Sequence, residues 1–333
     1  MKNVVLILCM LYFVLAQSVG AAPGDEVYAK PGRLVPTRGT RLNLYCIGSG
    51  SPTVVFESGW EDWSPVWAFV QPRVAQSMRA CSYDRAGAGF SDAAPMPRSS
   101  VRIAAELHEA LRHASIDGPY ILVGHAFGGD VAQTFAQRYL KDVAGMVLVE
   151  ADVGGPEGDI GNASYIASLR ECRDAISAGK PLPRQPASSG GASRDCAQQF
   201  FRGLPEQQWS PELNAKLNEI AHTKVAMYDS YISEMEQMRA NKIYLTHHTH
   251  SLGSRPIRVL STGYHGVHAL DAEHPRTAEQ QAYEQRVAQA QAKWLALSKN
   301  AKQVFVADSS EYIPLDKPDA VVEAIREVAQ YTP

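Results

Sequence analysis

Polar and apolar positions alternate from Arg41 onward, where Leu42-Asn43-Leu44-Tyr45-Cys46 predicts a half-buried strand that ends in the turn Gly48-Ser49-Gly50. Thr53-Val54-Val55-Phe56 predicts a more apolar strand. A third short strand, Ala80-Cys81-Ser82-Tyr83, runs into Asp84-Arg85-Ala86-Gly87-Ala88-Gly89. Residues 101–114 place Ile103, Ala104, Leu107, Leu111 and Ala114 on one helical face. Tyr120-Ile121-Leu122-Val123 then predicts a buried strand leading into Gly124-His125-Ala126-Phe127-Gly128-Gly129. The helix after it turns Val131, Phe135, Ala136 and Tyr139 inward, and Val143–Val149 is another continuous apolar strand. Strands that alternate with helices imply an α/β fold with a mainly parallel sheet covered on both faces.

The pattern changes after residue 153. Residues 154–206 are rich in Gly, Pro and Ser, and residues 211–242 form one long helical pattern through Leu213, Leu217, Ile220, Met227, Tyr231, Met235 and Met238. Residues 154–254 therefore read as a helical cap inserted between a first core part, 23–153, and a second, 255–333. In the second part Ile257–Ser261 resumes the sheet, 278–297 is helical, 303–306 is the last strand and 319–330 the closing helix. No internal repeat is visible.

The first 22 residues change the expected compartment. Lys2, an apolar run from Val4 to Ala16, and the small residues Gly20, Ala21 and Ala22 before Pro23 have the order of a cleavable secretory signal, cut after Ala21 or Ala22. The run is shorter than the roughly 20 residues a spanning helix needs, so a secreted or periplasmic chain is expected, with no membrane attachment after cleavage. The 333 residues carry a formal charge of −3 and no basic block, which gives no electrostatic reason to bind nucleic acid or an anionic membrane surface. Small molecules or a protein are the expected partners.

Cys9 lies in the leader, which leaves Cys46, Cys81, Cys172 and Cys196, an even number suited to an oxidising space. Two disulfides are expected. Four cysteines allow three pairings, and spacing does not choose among them.

Several segments, in this order, resemble the α/β-hydrolase superfamily, within it the exported esterase-like or peptidase-like branch. They are Glu57-Ser58-Gly59 after a strand, Tyr83-Asp84-Arg85-Ala86-Gly87 with Gly89 and Ser91-Asp92, the turn from Gly124 to Gly129, and residues 312–318 before the final helix. The resemblance implies an α/β-hydrolase fold: a mainly parallel sheet flanked by helices, with an inserted helical cap. It also implies that Cys46 pairs with Cys81 on neighbouring strands, and that Cys172 pairs with Cys196 within the cap.

The superfamily's nucleophile is the serine of G-x-S-x-G, lifted toward substrate by a strained strand-to-helix turn. Here Gly124 and Gly128 are present and Ala126 stands at the serine position. Alanine has no nucleophilic atom. The histidine that takes the serine's proton corresponds to Glu311. Glu150, Asp152 and Asp271 follow sheet strands and are the candidate acids. The resemblance places the oxyanion donors at the backbone N–H groups of Phe127 and Trp60, which survive side-chain change. Gly59, Trp60, Trp63 and His125 are expected around a ligand, with Trp60 and Trp63 partly exposed because Glu61 and Asp62 lie between them.

Standard serine-hydrolase catalysis is thus expected to be absent. The preferred reading is a non-catalytic relative that binds a small hydrophobic or ester-like molecule in the old cleft. One alternative is a hydrolase or lyase in which Glu311, with Glu150, Asp152 or Asp271, activates water; another is a protein-interaction module. His125 reads as packed and hydrogen-bonded. His265, His268 and His274 lie in a loop after a sheet strand, and His247, His248 and His250 read as a solvated helix end. No cofactor and no metal are expected.

Overall fold

The computed structural model describes residues 24–151, 163–185, 194–198, 209–262 and 277–331. Eight strands form one sheet: β1 (Arg33–Thr37), β2 (Thr40–Ile47), β3 (Thr53–Glu57), β4 (Ala80–Tyr83), β5 (Tyr120–His125), β6 (Val143–Val149), β9 (Ile257–Ser261) and β10 (Ala301–Phe305). Their spatial order is β1-β2-β4-β3-β5-β6-β9-β10. The pairs β1–β2 and β2–β4 are antiparallel, and the other neighbours run parallel. A short hairpin, β7 (Arg184–Gln185) with β8 (Arg194–Asp195), stands apart from the sheet. This is the mainly parallel α/β architecture that the alternating pattern implies.

Every residue of β3, β4, β5, β6 and β9 is buried, because helices cover both faces of the central strands. On one face α2 (Ser100–His113) and α3 (Phe127–Arg138) pack Leu107, Leu111, Val131 and Phe135 against Val55 and Leu122. On the other, α1 (Gln71–Val74) and α8 (Pro318–Gln330) pack Val74, Val321, Ile325 and Val328 against Phe56, Ile121 and Val147. The edge strand β10 leaves Phe305 exposed.

Between β6 and β9 the chain forms α4 (Ala163–Ser177), α5 (Pro211–Thr223) and α6 (Val225–His248). The single helical pattern expected over 211–242 is two helices. The chain breaks at Lys224, whose Nζ donates to the carbonyls of Gly89 and Ser91, 2.6 Å away in each case. This polar anchor outweighs one turn of helix. Helix α4 was not expected inside a Gly-, Pro- and Ser-rich stretch; Leu169 and Cys172 bury its inner face. β1 was also missed, being short and carrying Pro36, which suits an edge strand. Residues 278–297 divide into α7 (Ala278–Gln291) and a 3₁₀ segment, Ala292–Leu297.

Both disulfides have the expected pairing. Cys46 and Cys81 face each other across β2 and β4, and Cys172 of α4 joins Cys196 just after β8. Among the described residues no helix is long and apolar enough to cross a membrane.

Candidate functional site

Ala126 alone joins β5 to α3, with φ 47° and ψ −120°. An L-residue held there stores on the order of 1–3 kcal/mol of backbone strain. The turn is as tight as it is because of the glycines around it. A Cβ on Gly124 would lie 2.6 Å from the Gly128 carbonyl oxygen, and one on Gly128 would lie 2.4 Å from that of Glu57. Backbone bonds clamp the alanine on both sides, from its N–H to the Val149 oxygen (3.0 Å) and from the Gly129 N–H to its own oxygen (2.9 Å). What this strained turn presents is a methyl group.

Beside it His125 is buried, as the sequence suggests. Its Nδ1 lies 3.2 Å from Asp62 Oδ2 and its Nε2 lies 3.1 Å from the Glu311 backbone oxygen. Both partners are acceptors. A neutral imidazole can donate from one nitrogen only, so the imidazolium alone satisfies both contacts. Burial lowers the His125 pKa, but the hydrogen bond and charge of Asp62, together with Glu311, outweigh it and raise the value above the ordinary one. Asp62 is 5% exposed and belongs to the site. The sequence held no sign of this, since the loop's two acids suggested exposure.

Two further carboxyl groups converge here. Glu311 contributes its carbonyl to His125, and burial raises the pKa of its side chain against the pull of His125. Glu150 follows β6 with φ 44° and accepts from the Thr262 N–H and, at 3.0 Å, from Gln291 Nε2 of α7. Burial lifts it to about 7, even though both hydrogen bonds and His125 favour the ionised form. Asp152 and Asp271 lie outside the described residues, as do His265, His268 and His274. His247, His248 and His250 are exposed where α6 ends.

Gly59 brings the loop after β3 against the turn. A Cβ there would meet Asp62 Oδ2 at 2.8 Å, His125 Nδ1 at 2.9 Å and the Ala126 methyl at 3.4 Å. Trp60 packs on Tyr165 and Tyr231, and its indole donates to the Tyr231 oxygen at 3.0 Å. Among the described residues neither the Trp60 nor the Phe127 backbone N–H has an acceptor. Trp63 departs from expectation. It is 3% exposed, because it turns into the apolar cluster of Tyr28, Trp209 and Tyr228 while the neighbouring acid, Asp62, turns inward to His125.

The sequence also gave no sign of a buried ion cluster beneath this loop. Arg85 pairs with Glu57 at 2.9 Å and with Glu234 of α6 at 3.0 Å, and Tyr83 donates to Glu57. Burial lifts Glu57 to about 7 against the pull of Arg85 and Tyr83. Sequence separations of 28 and 149 residues hide both ion pairs from any local pattern.

Comparison with known proteins gives a consistent picture. Residues 52–182 match a family model described as the alpha/beta hydrolase fold. A Schizosaccharomyces pombe protein described as uncharacterised is 32% identical over 157 residues, covering 38% of this chain; the match spans 29% of that protein's length. The uncharacterised Bacillus subtilis protein YqjL is 23% identical over 84% of this chain and 85% of its own. The structure of an esterase from Exiguobacterium antarcticum has the same fold, with TM-score 0.60 and 14% identity over 90% of this chain and 100% of that one.

Proposed function

We propose that this chain, a member of the α/β-hydrolase superfamily, is an exported, non-hydrolytic binder of small hydrophobic molecules bearing an ester, amide or acid group. One observation carries the reading: the turn keeps the strained geometry that in hydrolases serves to aim a hydroxyl, and it aims a methyl group. Without an oxygen at Ala126 no acyl-enzyme can form. A ligand can still place its carbonyl oxygen toward the N–H groups of Trp60 and Phe127. The leader pattern and the two disulfides support a secreted or periplasmic location.

The test is direct. The purified protein should remain unlabelled by fluorophosphonate probes, and its melting temperature should rise with medium-chain fatty acids or aryl esters. Stoichiometric labelling would overturn the reading. A panel that shifts neither melting temperature nor tryptophan fluorescence would move the assignment to a protein partner.

A second reading is favoured by Glu150, a buried carboxyl lifted to about 7 and interacting with Glu311. Such a group can take a proton from water near neutral pH. Hydrolysis of short esters or amides that disappears in both Glu150→Gln and Glu311→Gln would establish it.

A further inference from the structure

The Arg85 guanidinium has five N–H donors and uses all of them. Nη1 donates to Glu57 Oε1 at 2.9 Å and to the Ser58 oxygen at 2.7 Å. Nη2 donates to the Gly59 oxygen and to Glu234 Oε2 at 3.2 Å, and Nε donates to Glu234 Oε1 at 3.0 Å. The same guanidinium lies 5.5 Å from the centre of the Phe127 ring. It is buried.

The Gly59 oxygen belongs to the peptide unit whose other end is the Trp60 N–H. In a planar trans peptide C=O and N–H point in opposite directions, so fixing the oxygen fixes the hydrogen. A cation on the carbonyl also polarises the amide and strengthens its N–H as a donor. A Cβ added to Gly59 would lie 3.4 Å from the Ala126 methyl carbon, so the unit begins close beside the turn. Arg85 therefore controls one donor through its peptide and braces the residue that carries the other, Phe127. Arg85 is itself gripped by Glu234, and Trp60 is tied by its indole to Tyr231 one turn earlier on α6. The helix inserted over the sheet thus holds both ends of the donor peptide.

We propose that Arg85 is a positioning residue, locked by Glu234, that aims the Trp60 N–H at a carbonyl or carboxylate oxygen bound above Ala126, so that α6 sets the cleft's selectivity for that oxygen. The proposal rests on the cleft being a binding site. Its own signature is a difference between ligands: carbonyl recognition depends on Arg85 and Glu234, and apolar contact does not.

The experiment uses protein labelled with ¹⁵N-tryptophan, the Trp60 amide being assigned by its loss in Trp60→Phe. The probes are methyl phenylacetate and its carbonyl-free counterpart, (2-methoxyethyl)benzene. The unsubstituted protein should bind the ester about tenfold more tightly than the ether, as one well-formed hydrogen bond predicts, with the Trp60 amide proton moving downfield for the ester only. In Glu234→Gln, and in Arg85→Lys if it folds, the ester preference should collapse while ether affinity holds. The ligand-free Trp60 amide proton should also move upfield. An unchanged ester-to-ether ratio with an unmoved Trp60 amide in a folded Glu234→Gln overturns the proposal. If neither probe binds the unsubstituted protein, the binding reading fails, and the ligand-free amide shift still decides the positioning role.

Discussion

His125 Nδ1 and Asp62 Oδ2 lie 3.2 Å apart in a fully buried contact, with the other ring nitrogen held by the Glu311 carbonyl. Both of its neighbours accept, which favours the imidazolium over either neutral tautomer and raises the ring's pKa. Its raised pKa means that the stability it supplies is fully present below the ordinary value of 6.5 and is lost as pH rises through the raised value. Asp62→Asn should lower stability by about 1–3 kcal/mol at pH 6 and shrink that alkaline loss. Denaturant titrations at several pH values, with the His125 ring signals followed by NMR, measure both effects.

Glu150 gives a second pH signature of the same sign. Its folded value of about 7 exceeds the ordinary 4.5, so its contribution is present below pH 4.5 and lost as pH rises through 7. Glu150→Gln keeps an acceptor for the Thr262 N–H and cannot ionise. The variant should be more stable than the parent above pH 7, by up to about 3 kcal/mol, with a flatter profile between 4.5 and 7. Glu57, lifted by burial in the same way, leaves a residual slope in that window.

The turn should respond to glycine and alanine in opposite ways. Gly128→Ala drives a methyl group into the Glu57 and Ser58 carbonyls and should cost about 1–3 kcal/mol or prevent folding. Ala126→Gly relieves a positive φ worth about 1–3 kcal/mol against about 0.4–1 kcal/mol of unfolded-chain entropy, so it should be as stable as the parent or up to about 2 kcal/mol more stable. Urea midpoints of the two variants are the measurement.

If the cleft is non-hydrolytic as proposed, serine-hydrolase chemistry should need changes at two positions. Ala126→Ser puts a hydroxyl on the turn without an imidazole at 311 to take its proton, and it should remain inactive toward nitrophenyl esters. Adding Glu311→His should raise kcat/KM by about 10²–10⁴ over the single variant, the usual yield of a placed general base.

Cys172–Cys196 closes 24 residues of chain, much of it Gly, Pro and Ser. The double change to serine should lower stability by about 3 kcal/mol, as chain entropy predicts, and a thermal melt reads the loss.

The sequence shows most of the sheet because buried parallel strands write themselves as apolar runs, as 53–56 and 143–149 do. It hid α4 because two inward residues, Leu169 and Cys172, suffice to seat a helix whose surroundings look like loop. It hid the break at Lys224 because Leu217, Ile220 and Met227 keep a helical rhythm across it while the lysine's partners lie more than 130 residues away. At the site Ala126, Glu150 and Glu311 are legible from their places after strands. Asp62, Arg85 and Glu234 are not, since their roles depend on who faces them across the fold. Trp63 was misread for the same reason: acidic neighbours suggest water, and here Asp62 turns to a buried imidazole instead.

The strain at Ala126 also has a genetic consequence. Alanine and serine codons differ by one base, while glutamate and histidine codons differ by two, at the first and third positions. The backbone that would present a hydroxyl is already folded and already strained, so a single point mutation could return the oxygen to this turn. It would return it to a place with a carboxyl residue, and no imidazole, at position 311. Single-base mutagenesis of this gene should therefore pass through the serine repeatedly without any colony gaining hydrolysis, and the turn can keep its tension while remaining chemically silent.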